Sequence, residues 1–214
     1  MSNFTVIGAG NFGGALGTAL AAAGHNVRFQ VPEPDNAKYE HLSALESVVF
    51  AIIGPPPEDT DLIFMATPWD AKLAAVQHLG DLSGEVIVDC TNSATYGPTG
   101  MTLAIDANTS AAQMIAAQLP GTVVAKCFNQ VGAPVISALD TLSPAPMTGV
   151  ACDDAHAKAR VIDLASSIGF DAFDAGGLAN ANLLEAFALL WMGQAFAFGD
   201  PSEFAFGRSS RPSG

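Results

Sequence analysis

Short apolar runs alternate with longer segments of helical periodicity along most of the chain. The apolar runs predict strands, at 4–8, 26–31, 48–53, 61–67, 85–91, 121–129 and 147–152. The longer segments predict helices, at 12–23, 35–46, 69–80, 109–119 and 153–169, and after 170–176 a long apolar helix at 178–198. Strands that alternate with helices of this length are typical of a parallel α/β sheet.

The alternation extends over nearly the whole chain, with no internal repeat and no interdomain linker. We therefore predict an α/β fold with a doubly wound, mostly parallel sheet and a C-terminal helix. Residues 1–206 are expected to form a single domain with a short helical extension. Residues 207–214 are polar and contain proline and glycine, and are expected to be a flexible tail.

A glycine-rich turn joins the first predicted strand to the first predicted helix. It is the sequence Gly8-Ala9-Gly10-Asn11-Phe12-Gly13. In a Rossmann-type fold the first glycine permits the tight turn, the second lets the backbone approach a pyrophosphate, and the third lets helix and strand pack closely. The turn therefore predicts an NAD(P)-binding Rossmann domain. A tight turn that binds no ligand is the alternative.

The end of the second strand usually selects the dinucleotide. An acidic residue about twenty positions after the glycine loop favours NAD, and an arginine there favours NADP. Glu33 lies at about this distance, in the segment that carries Pro32 and Pro34. From the residues alone Glu33 is a candidate for the ribose hydroxyls of NAD, and a solvated loop glutamate is equally compatible with the sequence.

Three further loops follow predicted strands and should meet at the same edge of the sheet, where the ligand crevice of such folds lies. The first carries Thr67, Pro68 and Trp69, and Trp69 could lie against a nucleotide or pack in the protein. The others carry Thr91 and Asn92, and Asn129. Their neutral hydrogen-bonding groups suit a cofactor, and local loop capping is the alternative.

Acid–base and metal-binding groups are sparse in this expected crevice. We expect His25, His41, His78 and His156 on the surface, away from it. No histidine, cysteine and acidic cluster has the spacing of a metal site, and no catalytic residue is predicted. Such a crevice suits hydride transfer between two cofactors, in which the protein mainly positions them.

Composition limits the partners and the compartment. Half of the residues are hydrophobic, 14% are charged, and the net charge is −13, which disfavours nucleic acid. The three cysteines are expected to be buried thiols in a reducing compartment. The apolar stretch 183–198 is short and contains Glu185, so we expect no membrane span. With no visible signal peptide, the predicted location is the cytoplasm.

Several longer motifs match a known family. They are "GAGNFGGALGTALAAAGHNV", "ATPWD", "VIVDCTN", "VVAKCFNQVGA" and "PMTGVACDDAHAKARVIDLASSIGFDAFDAGGLANANLLE". In these segments the chain resembles the F420-dependent NADP oxidoreductases, and it is similar to the dinucleotide-binding domain of six-transmembrane ferric reductases. The resemblance implies that residues 9–13 hold the pyrophosphate, and that the three loops described above surround the rest of the dinucleotide.

The resemblance also implies the cofactors. NADP is the family's dinucleotide, and coenzyme F420 or a flavin would be the second redox partner. Family members usually carry Ser-Arg after the second strand to hold the 2′-phosphate. This chain has Val31-Pro32 there, followed by Glu33, so NAD stays open as the alternative.

Three functions are compatible with these observations. The first is an oxidoreductase that transfers hydride between NAD(P)H and F420 or a flavin. The second is a dinucleotide-binding sensor or accessory protein without its own catalysis. The third, a reductase of small imine or carbonyl metabolites, is expected less, because those enzymes usually carry a large helical domain after the Rossmann part. The apolar C-terminal helix packs either on the core or in a homodimer.

Overall fold

The glycine-rich turn connects β1 (Asn3–Ile7) to α1 (Asn11–Ala22). The structure is a computed structural model, and it describes residues 1–97, 100–197 and 202–209. The other strands are β2 (Asn26–Val31), β3 (Val48–Ile52), β4 (Leu62–Met65), β5 (Val86–Asp89), β6 (Ala94–Gly97), β7 (Gly100–Leu103), β8 (Val123–Lys126), β9 (Met147–Cys152) and β10 (Asp171–Asp174). The other helices are α2 (Glu40–Ser43), α3 (Trp69–Val76), α4 (Ala111–Gln118), α5 (Ala133–Ile136), α6 (Ala155–Ser167) and α7 (Ala181–Met192).

Eight strands form one sheet in the order β10-β9-β8-β5-β4-β1-β2-β3. All neighbours are parallel except β8 and β9, which run antiparallel. From β1 the chain winds first towards β3 and then, from β4, towards the other edge. This reversal creates a crevice between β1 and β4 at the carboxyl ends of the strands. The predicted Rossmann-type, doubly wound sheet is confirmed.

Alternating apolar residues on the central strands bury both faces of the sheet. On β4, Phe64 packs into the core beneath α1 and α6, whereas Ile63 and Met65 pack beneath α3, α4 and α7. This alternation follows from the two-residue repeat of a strand. Helices therefore cover both faces, and the ligand crevice is left at one edge.

Two predicted helices differ in the structure. The helix expected at 35–46 is a single 3₁₀ turn, Ala37–Tyr39, followed by the one-turn helix α2, because the chain turns back at once to begin β3. The long C-terminal helix is α7 flanked by a 3₁₀ turn, Leu178–Asn180, and a π-helical segment, Gly193–Ala197. Its predicted last residue, Phe198, lies outside the described residues, as do residues 210–214 of the predicted tail.

The hairpin of β6 and β7 lies between the predicted strand 85–91 and the predicted helix 109–119, in a stretch where no strand was predicted. It does not join the large sheet, and its Tyr96 is exposed. Across the described parts of the chain, no helix combines the length and the apolar character needed to cross a bilayer.

Candidate functional site

A cavity of about 920 Å³ opens at the crevice between β1 and β4. This volume is at the upper end of the range typical of small-molecule and cofactor sites. Eleven of the thirteen predicted cofactor-binding residues line it: Gly8, Ala9, Gly10, Asn11, Phe12, Thr67, Pro68, Trp69, Thr91, Asn92 and Asn129. The structure therefore brings all four predicted loops to one cavity, while the roles of their residues remain predictions.

The glycine loop has the geometry of a pyrophosphate cradle. Gly8 has a φ of +102°, and a Cβ there would lie 2.8 Å from the carbonyl oxygen of Ala66. A Cβ at Gly10 would meet nothing within 4 Å, so this backbone faces open space in the cavity. Gly10 is also the N-cap residue of α1 and has no side chain to accept a hydrogen bond. The N–H groups in the first turn of α1 are therefore left for a ligand. These observations fit a bound dinucleotide.

Gly13 is one of the two predicted residues that do not line the cavity. It is buried, and a Cβ there would lie 2.2 Å from the carbonyl oxygen of Gly8. This is the close helix–strand approach expected of the third glycine. Gly13 therefore allows the close packing of α1 against the glycine loop and does not itself face the cavity.

Glu33 is the other predicted residue outside the cavity lining. Its exposed carboxylate accepts a hydrogen bond from Asn36 Nδ2 at 2.9 Å. The lining at this end instead includes Pro32, Lys38 and Tyr39. Asn36 also accepts a hydrogen bond from the Lys38 backbone N–H at 3.1 Å, which fixes the turn that carries Lys38. From the sequence, Lys38 falls in the helix predicted at 35–46 and is not counted as a cofactor-binding residue; the structure brings it to the cavity.

The charge of the cavity lining contrasts with the acidic chain. Among the residues that the structure describes, the lining contains no aspartate or glutamate, and Lys38 is its only lysine or arginine. His78 also lines the cavity, so the prediction that it lies away from the crevice is wrong. It follows α3, which extends along the cavity wall, and its Nδ1 lies 2.8 Å from the carbonyl oxygen of Ala74. A lining of this kind suits an anionic ligand.

Amide side chains fix the far end of the cavity, beyond β5 and β8. Asn92 Nδ2 donates to the carbonyl oxygen of Asn129 at 2.8 Å, and Asn129 Nδ2 donates to Asn92 Oδ1 at the same distance. The preceding residue, Phe128, is buried with a φ of +63°, a conformation that is costly outside glycine. The Phe128 N–H donates to Thr148 Oγ1 at 3.1 Å, which helps to hold this conformation.

A buried ionic cluster lies behind Thr91, and sequence reasoning missed it. Lys126 Nζ lies 2.8 Å from Asp89 Oδ2 and 3.0 Å from Glu185 Oε1, and the three side chains are at most 1% exposed. Thr91 Oγ1 donates to Asp89 Oδ1 at 2.7 Å, which links the cluster to the cavity wall. The only sequence signal was a charged residue at the end of each apolar strand, β5 and β8.

Electrostatics inside this cluster favours the charged forms of Asp89 and Lys126. Burial would raise the pKa of Asp89, but the ammonium groups of Lys126 and Lys72 and two hydrogen bonds hold it below its usual value. Burial would lower the pKa of Lys126, but Asp89 and Glu185 raise it above its usual value. Asp89 and Lys126 therefore keep their charges at neutral pH.

The three cysteines are buried thiols, as predicted. Burial raises the pKa of Cys127 to about 12 and also raises those of Cys90 and Cys152. Cys90 contributes to the cavity lining as a neutral thiol. None of the three has the lowered pKa of a reactive cysteine.

Known proteins with similar sequences or folds bear, together with this geometry, on the function of the chain. Residues 3–93 match the family described as NADP oxidoreductase, coenzyme F420-dependent. The chain resembles the F420-dependent NADP oxidoreductases, as its motifs indicated. The match covers β1 to β5, and so includes the glycine loop and the loops after β4 and β5.

Two solved structures share the fold across most of the chain. A candidate F420-dependent NADP reductase from Arthrobacter sp. FB24 has a TM-score of 0.83 and 24% identity, over 97% of this chain and 100% of that one. A hypothetical protein, SMa0349, from Sinorhizobium meliloti has a TM-score of 0.72 and 24% identity, over 85% of this chain and 88% of that one.

A curated relative is longer than this chain. The chain is 27% identical over 191 residues to metalloreductase STEAP3 of Rattus norvegicus, covering 86% of this chain and 36% of that protein. The chain thus spans about a third of the length of this relative. The similarity is to an NADP-dependent oxidoreductase family with a Rossmann-type fold.

Proposed function

We propose that the cavity binds NADP(H), and that the protein transfers a hydride between this cofactor and a deazaflavin (coenzyme F420) or a flavin. The observation that carries the proposal is the cavity itself. The described part of the chain contributes no carboxylate to its lining. The cavity extends from the turn after β2, past the uncapped start of α1, to the loops after β5 and β8. This is the path of a dinucleotide across the switch point of a Rossmann fold.

The division of the cavity follows from the two halves of the sheet. The half formed by β1, β2 and β3 would take the adenosine, and the half formed by β4, β5 and β8 would take the nicotinamide. The glycine loop lies between them and would hold the pyrophosphate. When bound, the cofactor supplies the hydride, and the residues of the chain bind and orient it.

Lys38 supports NADP over NAD. It occupies the adenosine half, where NADP carries a 2′-phosphate and NAD a hydroxyl, and within residues 1–97, 100–197 and 202–209 it is the one lysine or arginine of the lining. Glu33, which would repel a phosphate, is hydrogen-bonded to Asn36 outside the cavity. A charge-assisted hydrogen bond contributes roughly 1.5–3 kcal/mol, or about 10- to 100-fold in affinity.

The Lys38→Met variant tests this assignment. We expect its dissociation constant for NADPH to rise by about tenfold or more, and that for NADH to change less than about twofold. Lys158→Met is the matched control, because Lys158 is a surface lysine paired with Asp174 and lies outside the cavity. An equal loss for both dinucleotides, or tighter binding of NADH by the unaltered chain, would refute the role of Lys38.

The acceptor is proposed from the scarcity of acid–base groups in the cavity lining, which suits direct transfer between two cofactors. The test is to mix the NADPH-loaded protein with F420, FMN or FAD and to follow acceptor reduction by absorbance. Reduction of at least one acceptor supports the oxidoreductase. The same scarcity also favours a second function, a dinucleotide sensor without catalysis, for which binding would occur and no acceptor would be reduced.

A further inference from the structure

Lys72 places an ammonium group directly behind the wall of the cavity. The side chain, on α3, is 0% exposed. Its Nζ lies 3.4 Å from Thr91 Oγ1 and 4.3 Å from the centre of the Trp69 ring. Both of these residues line the cavity. The wall formed by Thr91 and Trp69 therefore separates the ammonium group from the cavity by one layer of side chains.

Lys126 makes the ion pairs of the buried cluster, whereas Lys72 lies outside them and acts on the cluster at longer range, where its charge helps to lower the pKa of Asp89. Lys126 already contacts both carboxylates of the cluster, those of Asp89 on β5 and Glu185 on α7. Among the described residues, no ion pair includes Lys72. On α3 itself, the nearby Asp70 is exposed. Burying a lysine without an ion pair is costly, and an apolar side chain would fill the space without this cost.

The position of this charge matters for the redox state of the ligand. This step rests on the proposed function, in which the nicotinamide half of the cavity is the one formed by the loops after β4, β5 and β8. The oxidised nicotinamide ring carries a positive charge, and the reduced ring carries none. A nearby ammonium group therefore repels the oxidised ring through a medium of low effective dielectric constant and leaves the reduced ring almost unaffected.

We propose that Lys72 determines redox-state specificity, by making the site bind NADPH more tightly than NADP⁺. The residue acts across the Thr91–Trp69 wall and need not touch the ligand. This difference in affinity would favour turnover in the direction that oxidises NADPH. The reduced cofactor is captured, and the oxidised product is released more readily once the hydride has left.

The titration of Lys72 gives this specificity a pH dependence. Burial lowers the pKa of Lys72 to about 8, although Asp89 and Glu185 act in the opposite direction and Lys126 adds to the lowering. The ammonium form predominates at neutral pH and is lost in mildly alkaline solution. Preference for NADPH should therefore weaken as the pH rises.

The test compares dissociation constants for NADPH and NADP⁺ by calorimetric titration of the unaltered chain, Lys72→Met and Lys72→Arg. The quantity of interest is the NADP⁺/NADPH ratio of these constants, because general damage to the site affects both forms alike and cancels. We expect Lys72→Met to lower the ratio by about tenfold, through tighter NADP⁺ binding. Lys72→Arg and the surface control Lys158→Met should leave the ratio within about twofold of the original.

A ratio unchanged in Lys72→Met would overturn the proposal. If the unaltered chain binds neither NADPH nor NADP⁺, the proposed function is refuted. If it binds both and the ratio is unchanged in Lys72→Met, only the role of Lys72 is refuted. If Lys72→Met does not fold, the same ratio is measured from about pH 7 to about pH 9 in the His78→Asn background, which removes the titratable histidine of the lining. The ratio should fall as the pH rises, and a constant ratio would overturn the proposal.

Discussion

Replacing Lys126 by methionine tests the ionic cluster behind the cavity. The change keeps the length of the side chain and removes its charge. It leaves Asp89 and Glu185 buried, at no more than 1% exposure, without the ammonium group that lies 2.8 Å and 3.0 Å from them. Removing one partner of a buried ion pair typically costs about 3–5 kcal/mol, because the other charge stays buried and uncompensated.

We therefore expect the free energy of unfolding of Lys126→Met to fall by about 3–5 kcal/mol at neutral pH. For a chain of this length such a loss corresponds to a decrease in Tm of roughly 6–20 °C. Urea unfolding followed by circular dichroism measures the free energy. Lys158→Met is the matched control, since its ion pair with Asp174 lies at the surface and should contribute less than about 1 kcal/mol.

The pH dependence separates charge from packing in this experiment. In the unaltered chain the pKa of Asp89 is lowered, so its contribution to stability is present at neutral pH and is lost as the pH falls through the pKa of the folded state. In Lys126→Met the ammonium group that opposes the effect of burial is gone, so the pKa of Asp89 should rise and its carboxylate can take up a proton as the pH falls, which removes its uncompensated charge. The difference in stability between the two chains should therefore shrink in acid. A difference below about 1 kcal/mol, or one independent of pH, would refute the reasoning.

Two further predictions concern the glycine loop and the thiols. Gly13→Ala should lower the free energy of unfolding by about 1–3 kcal/mol and weaken NADPH binding, because its Cβ would lie 2.2 Å from the carbonyl oxygen of Gly8. Gly14→Ala is the control, as its nearest neighbour would be Leu42 Cδ1 at 3.4 Å, and urea unfolding of both variants should show the loss at Gly13 alone. The three cysteines should resist a thiol reagent in the native chain and react in urea, because all are buried and the pKa of Cys127 is raised to about 12. Rapid labelling without urea would contradict their placement.

The parts of the fold that depend on local pattern could be predicted from the sequence. The central strands are short apolar runs, and they appear where the pattern placed them because both of their faces are buried. The β6–β7 hairpin could not be predicted in this way. Its residues are at most partly buried and pair only with each other, so no apolar alternation marks it.

The candidate site was likewise predictable only where its residues are close together in the sequence. The glycine loop was recognisable because its function depends on residues adjacent in sequence. Lys38 was assigned to a predicted helix and not to the site, because the sequence did not show that the short turn capped by Asn36 brings it into the cavity. Lys126 and Glu185 are 59 residues apart along the chain, so only the tertiary structure shows that they form one cluster with Asp89.

Calorimetric titration of the unaltered chain with NADPH and with NADH tests the central claim, that the cavity at the β1–β4 switch point is an NADP(H) site. We expect one site per chain, with NADPH bound at least about tenfold more tightly than NADH, because the proposed function pairs Lys38, a residue of the cavity lining, with the 2′-phosphate. Saturating NADPH should also raise Tm, since it binds only the folded chain. The absence of binding heat and of a Tm shift with both dinucleotides would contradict the claim.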